Sequence, residues 1–180
     1  MRWIWIDRVL ELDKGERLVA IKHVSYAEEH IHDHFAASPT REPVPVMPMS
    51  LIIEGMAQSA GILVGHASDF AEKVVLAKVT RAELNRDATP GCTLRYTTVI
   101  DQIATSGAVT SGTVDLIDPE PGYPDAPPAQ PVEIGRISLM FSHLDRNIGG
   151  IAYPEHNFVF SESIRTILRS SGIDTELPVP

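Results

Sequence analysis

The chain has 180 residues, enough for one domain with its own hydrophobic core and too few for two full domains. Hydrophobic residues make up 43% and charged residues 22%, which excludes collagen-like, wholly disordered and coiled-coil chains. Fifteen Lys and Arg against twenty-four Asp and Glu leave a net charge of −9, which repels phosphate backbones and argues against a nucleic-acid partner. The single cysteine, Cys92, can form no internal disulfide and no thiol cluster for zinc, as expected of a chain in a reducing cytoplasm. Asp7 and Arg8 interrupt the start where a signal peptide needs apolar residues. The longest apolar run, residues 51–67, is broken by Glu54, Gln58 and His66 and is shorter than the roughly 20 residues of a membrane span.

Residues 3–12 and 17–25 mix large apolar and β-branched residues with polar ones around Asp13-Lys14-Gly15, so two antiparallel strands joined by a tight turn are expected. Residues 26–49 have no sustained period, carry four prolines and gather three histidines, the signature of a long functional loop. Residues 50–66 then read as a helix apolar on nearly every side, which belongs in the middle of a protein, with Gly55, Gly61 and Gly65 admitting close neighbours. Its polar and small positions, Ser50, Glu54, Gln58, Gly61 and Gly65, recur at helical spacing and fall on one stripe.

Four more strands are expected near residues 73–86, 93–105, 108–117 and 132–144, punctuated by Pro90-Gly91 and Ser106-Gly107. Between the last two, residues 118–131 hold six of the fourteen prolines and read as an extended insertion. The domain is expected over residues 1–146, followed by a C-terminal extension, residues 147–180, with an amphipathic helix at 161–170. One helix and a run of antiparallel strands make an α+β domain, a sheet wrapped around a helix.

Residues 23–63 carry a more specific pattern: His34-Phe35, then Pro45-Val46-Met47-Pro48, then Leu51 to Gln58 reading L-I-I-E-G-M-A-Q. This resembles the active-site region of the 3-hydroxyacyl-[acyl-carrier-protein] dehydratases of the FabZ/FabA type. Residues 6–12 and 82–91 resemble two further segments of that family, so the likeness runs from about residue 3 to residue 144. The resemblance implies the hotdog fold, a curved antiparallel sheet around a long central helix. It also implies a homodimer, alone or assembled into hexamers, whose shared sites take His and Glu from different subunits, and acyl carrier protein or CoA thioesters as substrates.

Dehydrating a 3-hydroxyacyl thioester needs a base for the C2 proton, a donor for the charge gathering on the thioester oxygen, and an acid for the departing hydroxyl. His34 suits the base, because imidazole titrates near neutral pH. Glu54, on an apolar helix that disfavours a charge, suits the acid. The Met49 amide, at the positive end of that helix, suits the oxyanion donor, and Gln58, one turn beyond Glu54, can hold the carboxyl. Phe35 and Met49 are expected at the substrate. No redox cofactor or metal is required, because the thioester itself is the electron sink.

His30, His32 and His34 would share one face of an extended strand and suggest a metal, but the glutamate that cupins place three or four residues later is Ala36 or Ala37 after His32, and Ser38 or Pro39 after His34. No metal site is assigned. Arg81, Arg86 and Arg95 read individually as solubilising strand residues rather than a carrier-protein patch. The chain departs from the family at Asp33 and Met49, where the family has glycines, and at Ala36, where it has proline. From His34 to Met47 it runs thirteen positions, about six more than is usual, which enlarges the loop between base and helix. A hotdog acyl thioesterase and a non-catalytic acyl-binding hotdog are the alternative readings.

Overall fold

The computed structural model describes residues 3–118, 130–144 and 159–173. Six strands, β1 (Arg8–Asp13), β2 (Arg17–His23), β3 (Val74–Leu84), β4 (Thr93–Ala104), β5 (Gly107–Ile117) and β6 (Val132–His143), form one sheet in the order β1-β2-β4-β5-β6-β3. Every neighbouring pair is antiparallel. Within the described residues lie the helices α1 (Glu29–Asp33), α2 (Met49–Ala67) and α3 (Glu162–Ser170).

The expected strands are found within a few residues of their sequence boundaries, because turn residues fix where each ladder stops. Gly15 takes φ 73° in the β1–β2 turn and Gly91 takes φ 96° before β4, conformations open to glycine at little cost. The first strand differs: pairing begins only at Arg8, and residues 3–6 are held by a side chain of α2 instead of a ladder.

Helix α2 packs against β2, β3, β4, β5 and β6, so the sheet wraps it and the α+β hotdog arrangement is realised. Ile52, Met56, Ala60, Ile62, Leu63 and Val64 are buried on it. Full burial of each large side chain among them contributes roughly 1.5–3 kcal/mol. Gly55 is required by the packing: a Cβ there would lie 2.5 Å from the Tyr96 hydroxyl and 2.9 Å from the Trp5 carbonyl.

Helix α3 presents Ile164 and Leu168 to the body of the domain and docks beside β1, where Ser171 Oγ accepts the Val9 amide at 3.0 Å. Most of the proline-rich insertion, residues 119–129, lies outside the described residues, as do the connector 145–158 and the tail 174–180. No helix among the described residues is long and apolar enough to cross a membrane.

Candidate active site

The segment expected as irregular loop contains α1, and this changes the geometry of the three histidines. In a helical turn, positions four apart share a face while the position between them points elsewhere. His30 and His34 accordingly line the same groove, and His32 instead meets Asp33, with Nδ1 2.5 Å from Oδ1. The extended H-x-H-x-H face is therefore not formed. The Asp33 carboxylate, beside His34 in the sequence, is spent on His32.

Lys22 fixes α1 to the sheet. It is 4% exposed on β2, and its ammonium donates to Glu28 at 2.7 Å and to the His23 carbonyl at 2.7 Å, with Asp7 at 3.4 Å. A buried cation needs such partners, so Glu28 and the helix it precedes are held in place. His34 ends that helix: its amide donates to the His30 carbonyl at 3.3 Å, and its ring stands edge-on to Phe35 with centroids 4.3 Å apart. Phe35 is half-buried, with the Arg41 guanidinium over its ring, 5.8 Å from the centroid.

The enlarged loop closes on itself. The Phe35 carbonyl accepts the Val44 amide at 3.0 Å, Ser38 and Arg41 pair as an isolated bridge, and Arg41 donates to the Ala36 carbonyl at 3.0 Å. The additional residues thus form an exposed finger between Phe35 and Val44. Beyond it the chain is buried again at Val46 and Met47, with the Met47 amide on the Ala88 carbonyl at 2.8 Å.

Met49 opens α2 directly after Pro48, and among the described residues no capping side chain takes up the first amides of the helix. Its φ is not positive, so the glycine expected from the family is not needed for backbone reasons. The side chain is exposed and borders a depression with residues 81–85 and 133–136.

Glu54 and Gln58 sit together further along α2. Gln58 Nε2 donates to Glu54 Oε1 and to the Trp3 carbonyl, both at 3.0 Å, while Gln58 Oε1 accepts the Trp5 amide at 2.9 Å. Both amide protons of Gln58 are thereby committed within the chain. Glu54 is half-buried, not sealed in the core as the apolar character of the helix suggests. It lines a groove of about 310 Å³ with Ala57, Gln58, Gly61, Leu76 and Phe141. Glu54, Gln58 and Gly61 of the expected stripe do share this surface, whereas Gly65 is covered by Phe160.

His34 lines a different groove, of about 770 Å³, with Trp3, Ile4, Trp5, His30 and Leu51. Trp3 and Ile4 border both grooves, so the N-terminal segment is the wall between them within one chain. Sequence reasoning missed Lys22, Glu28 and Trp5, and weighed His30 only as a metal ligand. The ring of His30 lies edge-on to Trp5 at 4.7 Å, and burial pushes its pKa down against the opposing pull of Glu28. The one local signal for Lys22 was a lysine inside an apolar strand. Arg81, Arg86 and Arg95 are each engaged with a carboxylate, on Glu83, Asp118 and Asp115 respectively.

A sheet wrapped around an apolar helix, with a carboxyl half-open on that helix and an imidazole at the end of a preceding short helix, defines a hotdog-fold protein with acid–base groups on two grooves. Residues 3–117 match the FabA-like domain, and the chain belongs to that family, the 3-hydroxyacyl-[acyl-carrier-protein] dehydratases. It is 39% identical over 116 residues to the 3-hydroxyacyl-[acyl-carrier-protein] dehydratase FabZ of Rickettsia akari (strain Hartford), covering 63% of this chain and 76% of that one. Among solved structures it resembles the dehydratase heterocomplex ApeI:P from Xenorhabdus doucetiae, with TM-score 0.55, 15% identity, and 80% of this chain and 85% of that chain covered. It also resembles a thioesterase family protein from Silicibacter pomeroyi, with TM-score 0.51 and 12% identity over 75% of this chain and 82% of that chain. At these identities the two structures establish the hotdog fold alone.

Proposed function

We propose that the protein dehydrates 3-hydroxyacyl thioesters carried on acyl carrier protein to trans-2-enoyl thioesters, in fatty-acid or related lipid or polyketide synthesis. Family membership supports the reaction class. The observation that supports the assignment of roles is the division of His34 and Glu54 between two grooves of one chain. Two chains, each offering one group, complete a site that neither makes alone. Leu76 and Val79 on the edge strand β3 remain exposed in the single chain, an apolar edge suited to a second copy.

In this site His34 takes the C2 proton, and the electron pair moves into the C1–C2 bond and onto the thioester oxygen. The Met49 amide at the positive end of α2 donates to that oxygen. As the pair returns to form the C2–C3 double bond, the C3–O bond breaks and Glu54 of the facing chain protonates the hydroxyl, so that water leaves. The proton on His34 then returns to Glu54 through solvent, restoring both groups. Gln58 holds the Glu54 carboxyl, and Phe35 holds the His34 ring.

The test is the reverse reaction. Purified protein given a trans-2-enoyl thioester is expected to bleach the enoyl absorbance through hydration until equilibrium is reached. Release of free acid with no hydration would assign a thioesterase instead, and acyl binding with neither reaction would assign a non-catalytic protein.

A further inference from the structure

The family match ends at residue 117, yet part of the groove beside Glu54 is built from residues beyond it. Val159, Phe160, Ser161 and Ile164, at the start of α3, line that groove together with residues of the α2 stripe. Phe160 and Ile164 are buried there. The Phe160 ring covers Gly65, where an added Cβ would overlap it, and stands edge-on to Phe70 with centroids 4.8 Å apart. Phe70 is in turn held by an unusual backbone: Asp69 and Phe70 take φ 49° and 57°, with the Phe70 amide on the Gly65 carbonyl at 2.7 Å. Two successive left-handed residues other than glycine cost energy, and they are retained here where they turn an aromatic ring under Phe160.

Along α2 the groove runs from Glu54 past Gln58 to Gly61, and Phe160 closes over Gly65, the next turn. Eleven residues of helix separate Glu54 from Gly65, about 16 Å at 1.5 Å per residue. The near end of this path carries the carboxyl, and its far end carries an aromatic plug in a mainly apolar lining. We propose that Phe160, backed by Ile164, is the end wall of the acyl pocket and sets the longest chain the enzyme accepts. This rests on the proposed dehydratase reading, with Glu54 at the reacting end of the same groove. The substrate class it specifies is a 3-hydroxyacyl thioester whose chain stops before the Gly65 level.

The experiment measures binding separately from turnover. Saturated acyl thioesters of increasing length, which have no 3-hydroxyl to lose, are titrated into the full-length protein by calorimetry. Each methylene that fits should tighten binding about fourfold, and the gain should cease at the wall. In Phe160→Ala the plateau should move outward by two or more carbons, so that a chain two carbons past the wild-type limit binds more than tenfold tighter than it does to wild type. Ile164→Ala should move it less. Gly61→Leu should move it inward, since a Cβ at Gly61 meets only the Phe141 ring at 3.7 Å and the larger side chain can project into the groove. The three variants cover the case in which Phe160→Ala does not fold. An unchanged plateau in the folded variants, or no plateau in the wild type, overturns the proposal. A plateau that moves as stated, in a protein that does not hydrate enoyl thioesters, upholds the wall and overturns the dehydratase reading.

Discussion

Replacing Gln58 with leucine separates what this residue does for the fold from what it does for the site. Its amide ties three groups: the Trp5 amide, the Trp3 carbonyl and the Glu54 carboxyl. Trp5 is 8% exposed, so in Gln58→Leu its N–H is left in a dry place with no acceptor, at a cost of about 1–3 kcal/mol. Trp3 is 58% exposed, and water replaces the lost donor at its carbonyl at little cost. The net loss is about 2 kcal/mol, which for a chain of this size lowers Tm by roughly 4–8 °C. Glu54 loses the donor that orients it, and kcat for enoyl hydration should fall about tenfold or more, with a smaller change in KM. Gln58→Glu is the control. A carboxylate can still accept the Trp5 amide, but it offers no N–H to Glu54 and faces it with like charge, so only part of the stability should return while kcat stays low. Thermal melts and absorbance kinetics on the same samples decide the matter, and a Gln58→Leu protein with wild-type Tm and kcat would refute the reasoning.

Other consequences follow from buried groups and from the finger. The Tyr96 hydroxyl is fully buried with no hydrogen-bond partner among the described residues, so Tyr96→Phe should stabilise the protein by about 1 kcal/mol and raise Tm by a few degrees; a clear fall in Tm would contradict this. His30 and His66 have pKa values lowered by burial, so the unfolded chain takes up their protons below about pH 6.5 while the folded chain does not. Their part of the stability is therefore complete above pH 6.5 and declines as pH falls below it, and denaturant titrations of His30→Gln and His66→Gln should show a flatter decline than wild type. Shortening the Phe35–Val44 finger by six residues should leave enoyl hydration within a few-fold of wild type, because its internal hydrogen bonds are its own and loop length changes stability by only about 0.6 kcal/mol per doubling. Loss of activity in a shortened protein that folds normally would place the finger in the site.

The parts of this architecture governed by local periodicity are legible in the sequence. Pro90-Gly91 and Ser106-Gly107 mark ends of strands that the sheet respects, and the spacing of Glu54, Gln58 and Gly61 places them on one surface of α2, where the groove lies. What escapes is set by contacts distant in sequence. The helical turn α1 is too short to show a period, and Lys22, reaching Glu28 from β2, holds it. The extended residues 3–6 look like the start of a strand but are tied by Gln58, more than fifty positions away. The surplus between His34 and Met47 is visible as a length, but its closure into a finger depends on the Phe35–Val44 hydrogen bond. Gly65 is visible as a gap on the helix, while the ring that fills it comes from Phe160, almost a hundred positions later.

On the proposed reading His34 and Glu54 act together only across two chains. Inactive His34→Ala and Glu54→Gln proteins, each expected to lose at least 100-fold in rate, are mixed in equal amounts, dissociated and reassembled. Half of the dimers are then mixed, and each mixed dimer regains one of its two sites, so hydration should return to about a quarter of the wild-type rate. A reassembled mixture that stays as inactive as its parents, with mixed dimers present, would contradict the account.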